Sequence, residues 1–283
     1  MKKGISYWSF PGGLDGTKPT AEAFDEAKKA GFEAVEVCLG DAGEVSLATT
    51  ERSAKQVLRA AGNAGIEIPS VATGLFWGKS LTSSDPKVRA EALEIGKKLI
   101  DVAVWLETGA VLVVPGAVEV FFDPSSEVVE YETAYGRATE AVSELARYAE
   151  GSKVVIGIEN VWNKFLLSPM EMKAFVDQFD SERVGAYLDV GNCLLYSFPE
   201  HWIRSLGKRI TRVHLKDFRT NVGTVDGFVD LLSGDVNWPE VISALKEVGY
   251  DNCLTAEMIP TYAHYPEMLI ENTSRAMDAI LGR

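Results

Sequence analysis

Two hydrophobic periods take turns along this chain. Short apolar runs of strand length alternate with segments long enough for an amphipathic helix, and the alternation persists through all 283 residues. Strands are expected at residues 4–10, 32–39, 68–73 and 110–114. Four more follow: the VVIGIEN run that carries Glu159, two runs closing at Asp189 and His214, and residues 254–258. Helices are expected at 20–30, 50–64, 86–106, 131–150, from Ser168 onward, and at 238–248 and 265–281. Local chemistry supports several of these limits. Gly65 can close a helix in the left-handed conformation, Pro86 suits a first helical turn, and Ser168-Pro-Met-Glu171 has the form of a capping box.

Eight β–α pairs in strict order, with no Pro/Ser-rich linker or charge block between halves, predict an α/β fold: one closed parallel (β/α)8 TIM barrel spanning residues 1–283 as a single domain. A doubly wound sheet is the alternative, but no G-x-G-x-x-G follows the first strand. There is no internal repeat beyond the alternation and no low-complexity tract.

With 41 acidic against 28 basic residues, the net charge is −13. Such a surface repels phosphate backbones, so general nucleic-acid binding is not expected. The three cysteines, Cys38, Cys193 and Cys253, lack C-x-x-C spacing and lie in or beside strand-like runs, where a reduced thiol behaves as a small hydrophobe. No signal peptide and no membrane-length apolar run is read, which makes the cytoplasm the expected compartment.

Within this frame, Glu159, Asp189, His214 and Glu257 sit at the ends of four successive strand-like runs. If the strands close into a barrel, these ends converge. A single Asp or Glu after a strand is ordinarily a helix cap or a loop charge. Here Gly157 shares a face with Glu159 and Thr255 with Glu257, and small inward neighbours leave room for a charged group. Three inward carboxylates beside a histidine would carry a desolvation cost of several kcal/mol without a compensating cation. Three oxygen donors and one nitrogen donor suit one divalent metal ion, such as Mn²⁺, Mg²⁺ or Co²⁺.

The motifs IEN, LDVGN, VHLKD and AEM, in this order, resemble those of the xylose-isomerase-like barrel superfamily, and within it the sugar-phosphate isomerase/epimerase branch that includes ketose 3-epimerases and L-ribulose-5-phosphate 3-epimerases. The resemblance extends to SLTSSDPKVRAEAL at residues 80–93. It implies that Glu159, Asp189, His214 and Glu257 bind one divalent cation, usually Mn²⁺, and that Glu159 and Glu257 also act as acid and base. The implied reaction is inversion at C3 of a ketose or ketose phosphate through a cis-enediolate. That chemistry is coherent. A C3 proton becomes removable once the adjacent C2 carbonyl is polarised, and inversion needs a second acid on the opposite face.

Further substrate contacts are expected from Asn192, Arg219, Lys216, Glu36, Trp8 and Trp77. Asn192 falls where free-ketose enzymes of the branch often carry histidine. Arg219 follows the seventh strand at a spacing one residue short of the related arginine, and its bland reading is a solvated loop charge. Lys216 should share the face of His214, to contact a substrate oxygen or pair with Asp217 or another carboxylate. Glu36 could point into the mouth or partner an internal base. Trp8 and Trp77 sit near strand ends where sugar C–H faces stack on rings, although aromatics so placed are more often core.

The expected partner is a small sugar, with self-association as a homodimer or homotetramer. Competing readings on the same metal site are an aldose–ketose or hydroxypyruvate-type isomerase and an inosose dehydratase. A phosphodiester endonuclease needs a multi-zinc cluster, which three histidines cannot supply. A catalytically silent sugar-binding barrel would not need Glu159 and Glu257 together.

Overall fold

A computed structural model describes residues 1–283. Eight parallel strands close on one another: β1 (Lys2–Ser6), β2 (Ala34–Leu39), β3 (Val71–Thr73), β4 (Ala110–Val113), β5 (Val155–Glu159), β6 (Val184–Asp189), β7 (Ile210–Leu215) and β8 (Cys253–Ala256). Each pairs with its neighbours in the chain, and β8 returns to β1 through the register Lys2–Cys253 to Ile5–Ala256. Parallel strands need cover on their outer face. It comes from α1 (Thr20–Lys29), α2 (Glu51–Ala64), α3 (Pro86–Trp105), α4 (Tyr131–Ala149), α5 (Pro169–Asp177), α6 (Pro199–Leu206), α7 (Trp238–Glu247) and α8 (Met268–Leu281). This is a (β/α)8 TIM barrel. No helix is long and apolar enough to cross a membrane.

The helix limits follow from the residues at them. Thr50 and Ser53 form a reciprocal capping box on α2, and Gly65 ends that helix at φ +67°. Asp85 caps α3 by accepting from the Lys87 amide at 2.8 Å, with Pro86 in the first turn. Ser168 caps α5 in the same way, accepting from the Glu171 amide at 3.2 Å.

Three expectations need correction. The first strand covers Lys2–Ser6 rather than 4–10, because the apolar run continues into a tight turn at Tyr7–Ser9. Lys2 and Lys3 join the strand despite their charge; Lys3 is buried, with its ammonium on Ser274 Oγ at 3.0 Å and Asp278 at 2.5 Å. Helix α6 had no counterpart in the expected order. The long connection after β7 also carries a two-residue antiparallel ribbon, Asp217–Phe218 against Phe228–Val229.

Successive strand side chains alternate between the barrel interior and the helix layer. Glu36, Gly157 with Glu159, Tyr187 with Asp189, and His214 therefore share the inner side. A Cβ at Gly157 would meet Tyr187 Cδ2 at 2.9 Å. The space this glycine leaves is filled by the Tyr187 ring rather than by a charge.

Candidate metal centre

Glu159 and Asp189 are the last residues of β5 and β6, His214 is one residue from the end of β7, and Glu257 follows β8 directly. Asp189 and His214 are register partners, and Thr255 is the partner of His214 on the other side. One ligand-capable atom from each of the four lies within 4.8 Å of the others. His214 Nδ1 is 2.8 Å from Glu257 Oε2 and 3.6 Å from Glu159 Oε1. Around an octahedral cation with donors at about 2.1 Å, adjacent donors stand roughly 3 Å apart and opposed ones roughly 4.2 Å. The His214 separations of 2.8 and 3.6 Å fall near and between these values, and the 4.8 Å outer limit of the cluster is somewhat wider than the opposed distance.

The other imidazole nitrogen points away from this cluster. Nε2 is 2.8 Å from Glu36 Oε1, and Glu36 Oε2 accepts from Ser70 Oγ at 2.7 Å and from the Tyr187 hydroxyl. A proton on Nε2 satisfies Glu36 and leaves the Nδ1 lone pair directed at the carboxylates, the orientation a metal-binding histidine needs. Asn160 fixes the next donor. Its Oδ1 accepts from the Asp189 amide at 2.8 Å and its Nδ2 donates to the Asp189 carbonyl at 2.9 Å. Asp189 Oδ1 in turn accepts from the Asn192 amide at 2.9 Å, capping a single turn at Val190–Cys193.

Two buried atoms of the site are left without a hydrogen bond, Asp189 Oδ2 and His214 Nδ1. Lys216 Nζ lies 3.0 Å from Asp189 Oδ2 but outside bonding geometry, so the contact is ionic. Glu257 Oε2 is 2.8 Å from His214 Nδ1; with a single imidazole proton, on Nε2, both are acceptors, and only a second proton or a cation between them satisfies the pair. Buried polar atoms are rarely left so. Charge points the same way. Ionised Glu36, Glu159, Asp189 and Glu257 contribute −4, against +1 from Lys216 and at most +1 from His214, which leaves −3 or −2. The cluster fits a single divalent metal ion.

The environment separates the carboxyls. Burial pushes Glu159 up to about 7, and the neighbouring charge of Glu257 adds to it. Burial also acts on Glu257, but Lys216 at 3.1 Å and His214 hold it down to about 2. Asp189 is raised, chiefly by burial. Burial disfavours the charged forms of His214 and Lys216, yet the surrounding carboxylates raise both.

Glu159, Glu257, Asn192, Lys216, Trp8 and Trp77 line one cavity of about 650 Å³ at the C-terminal mouth of the barrel. A second cavity of about 500 Å³, under the loops after β1 and β2, shares Trp8, Trp77 and Glu257 with it. Two expected substrate contacts lie elsewhere. Glu36 is fully buried beneath His214, with both oxygens engaged. Arg219 is exposed beyond the ribbon and donates to the Ser233 carbonyl at 3.0 Å. Asn192 reaches the cavity, but its Nδ2 donates to the Asn160 carbonyl at 2.9 Å. Asp217 does not pair with Lys216. It accepts from the Phe218, Leu232 and Val236 amides and from Trp238 Nε1. Tyr187 and Ser70, which hold Glu36, were not singled out from sequence; the Gly-x-Tyr-x-Asp alternation of β6 was the available signal.

A family model for the xylose isomerase-like TIM barrel matches residues 24–279. An uncharacterised protein of Methanocaldococcus jannaschii is 27% identical over 198 residues, covering 68% of this chain and 64% of that protein's length, just under two thirds. The L-ribulose-5-phosphate 3-epimerase UlaE of Salmonella paratyphi A is 24% identical over 244 residues, 85% of this chain and 82% of that one. Among solved structures, D-psicose 3-epimerase from Clostridium cellulolyticum H10 superposes with a TM-score of 0.79 at 20% identity, covering 100% of this chain and 99% of the other. The chain belongs to the xylose isomerase-like TIM-barrel family.

Proposed function

We propose that this protein is a divalent-metal-dependent isomerase that inverts C3 of a ketose or ketose phosphate. The observation that carries the reading is the pair Glu159 and Glu257: two carboxylates from separate strand ends, facing one cavity on either side of His214. Inversion takes a proton from one face of C3 and returns one to the other, and a carboxylate on each side is placed for that exchange. In one direction Glu257 accepts the C3 proton while Glu159 supplies one to the other face; the reverse reaction exchanges the roles. Glu159, Asp189, His214 and Glu257 would hold the cation, Mn²⁺ in the first instance with Co²⁺ or Mg²⁺ as substitutes. When bound, it polarises the carbonyl next to C3 and stabilises the charge that develops there. Lys216, Asn192, Trp8 and Trp77 are the proposed substrate contacts, and Glu36 positions His214. The names of the Salmonella relative and of the Clostridium neighbour support a ketose 3-epimerase.

The test is solvent exchange. Protein supplied with Mn²⁺ is incubated in D₂O with a panel of ketoses and ketose phosphates, and the products are read by NMR. Deuterium at C3 with inversion is expected. Label at C1 or C2 would identify an aldose–ketose isomerase, and loss of water a dehydratase.

A further inference from the structure

The inner face of β7 carries a second basic residue below the metal centre. Arg212 lies two positions before His214 on the same side of the strand, one layer deeper, beside its register partner Tyr187. It is half-buried, and none of its hydrogen bonds goes to a carboxylate. Nη1 donates to the Thr211 carbonyl at 2.7 Å, within its own strand, and Nε donates to the Pro69 carbonyl at 2.8 Å.

The second of these bonds is the informative one. Pro69 stands two residues ahead of β3, and β3 and β7 are four places apart in the ring of eight strands, on opposite walls. The Arg212 side chain therefore crosses the floor of the barrel. The residue next to the one it holds is Ser70, fully buried, whose Oγ donates to Glu36 Oε2 at 2.7 Å and lies 3.1 Å from the Tyr187 hydroxyl. Glu36 Oε1 is in turn 2.8 Å from His214 Nε2. A connected path thus leaves β7 at Arg212, crosses to Pro69 and Ser70, and returns through Glu36 to β7 at His214.

The sheet alone does little to hold the far side of this path. Strand β3 is three residues long, and it pairs with β4 at the single position Val71–Val111. Ser70 lies before its first residue, and Pro69 has no amide to donate to a neighbouring strand. The guanidinium supplies a fixing point that the ladder does not.

We infer that Arg212 is a positioning residue for the metal centre, acting from the barrel floor: by holding Pro69 it sets Ser70 against Glu36, and through Glu36 the orientation of the His214 imidazole. This rests on the metal centre of the proposed function and is independent of the reaction run there. Partners that orient a ligand histidine are worth roughly 10–100-fold in metal affinity. A residue that acts through such a partner transmits part of that effect, so the low end of the range is expected.

The experiment is a double-mutant cycle read by Mn²⁺ titration calorimetry, with circular dichroism to establish that each variant is folded. Arg212→Met should weaken Mn²⁺ binding by about tenfold, and Ser70→Ala, which cuts the same path nearer Glu36, by a similar factor. Combining them should add less than about twofold to either alone, because both act through one link. Where Met destabilises the barrel, Arg212→Lys takes its place. It keeps a cation in the floor but has no donor at the Nε position, so it should lose affinity in the wild-type background and not alongside Ser70→Ala. Unchanged affinity in the Arg212 or the Ser70 variant overturns the inference. Losses that simply multiply overturn it as well, since they mean two independent contributions. Wild-type protein that binds no Mn²⁺ would overturn the metal dependence of the proposed function, and the inference with it.

Discussion

His214 Nε2 and Glu36 Oε1 stand 2.8 Å apart, both fully buried, although 178 positions separate them in the chain. The imidazole is therefore aimed from below by a carboxylate that does not line the cavity. Glu36 is itself held by Tyr187 and Ser70, so three side chains behind His214 fix the nitrogen that faces the carboxylates.

Replacing Glu36 with Gln keeps the volume but removes the charge that favours Nε2–H. Partners of this kind are worth roughly 10–100-fold in metal affinity. Glu36→Gln should weaken Mn²⁺ binding, measured by calorimetry, by a factor in that range while the fold is retained by circular dichroism. Unchanged affinity would show that His214 needs no support from beneath.

Metal-free protein should lose thermal stability as pH rises through 7. The folded state holds the Glu159 proton up to about 7 against an ordinary value of 4.5, so that group's contribution is complete below about 4.5 and disappears as pH climbs past 7. His214 is raised as well and acts in the same direction. Glu257, held at about 2, works oppositely, but in a separate window: its contribution is present above 4.5 and lost as pH falls toward 2. Melting curves of chelated protein between about pH 5 and 8 should therefore decline. Saturating Mn²⁺ should flatten them, because ligand carboxylates bind metal deprotonated and the cation replaces the proton. A chelated melting temperature that rises across this range would contradict the assignment.

Lys216 competes with a cation for the same oxygens, at 3.0 Å from Asp189 and 3.1 Å from Glu257. Lys216→Met removes the charge and keeps the stem, so divalent-metal affinity should rise. Turnover should nevertheless fall by about 10²-fold, the usual loss when a donor aimed at a reacting oxygen is deleted. Titrating metal and measuring kcat on the same variant separates the two effects. A parallel fall in both would make Lys216 a support for the fold of the site and nothing more.

The four strand-end donors were legible because strand period and strand order alone place them. Depth within the barrel was not. Glu36 lies in AVEVCL on the inner face, but whether such a residue reaches the mouth or sits beneath it depends on the stagger of all eight strands. Tyr187 was not singled out, for a similar reason, since its hydroxyl finds Glu36 from 151 positions away. Arg219 was misplaced by local structure: β7 ends at Leu215, and the ribbon from Asp217 turns the following residues outward. Helix α6 is only eight residues long, and Trp202, Ile203 and Leu206 make too short an apolar stripe to distinguish it from a loop.

Glu159 and Glu257 carry the sharpest prediction. Each stands at a strand end, near neither a backbone cap nor a structural ion pair beyond the cluster itself, so conversion to Gln should leave the barrel intact. Loss of either removes a proton-transfer group, worth about 10²–10⁴-fold, as well as one charge toward the cation. Because inversion needs a proton taken from one face and another returned to the other, Glu159→Gln and Glu257→Gln should each abolish net epimerisation. They need not act alike on exchange, however. A variant that keeps one functioning base can wash deuterium into the starting sugar without producing its epimer. C3 exchange in the absence of inversion, seen for one variant and not the other, would identify which carboxylate serves which face. Full inversion by either variant would rule out the two-carboxylate mechanism.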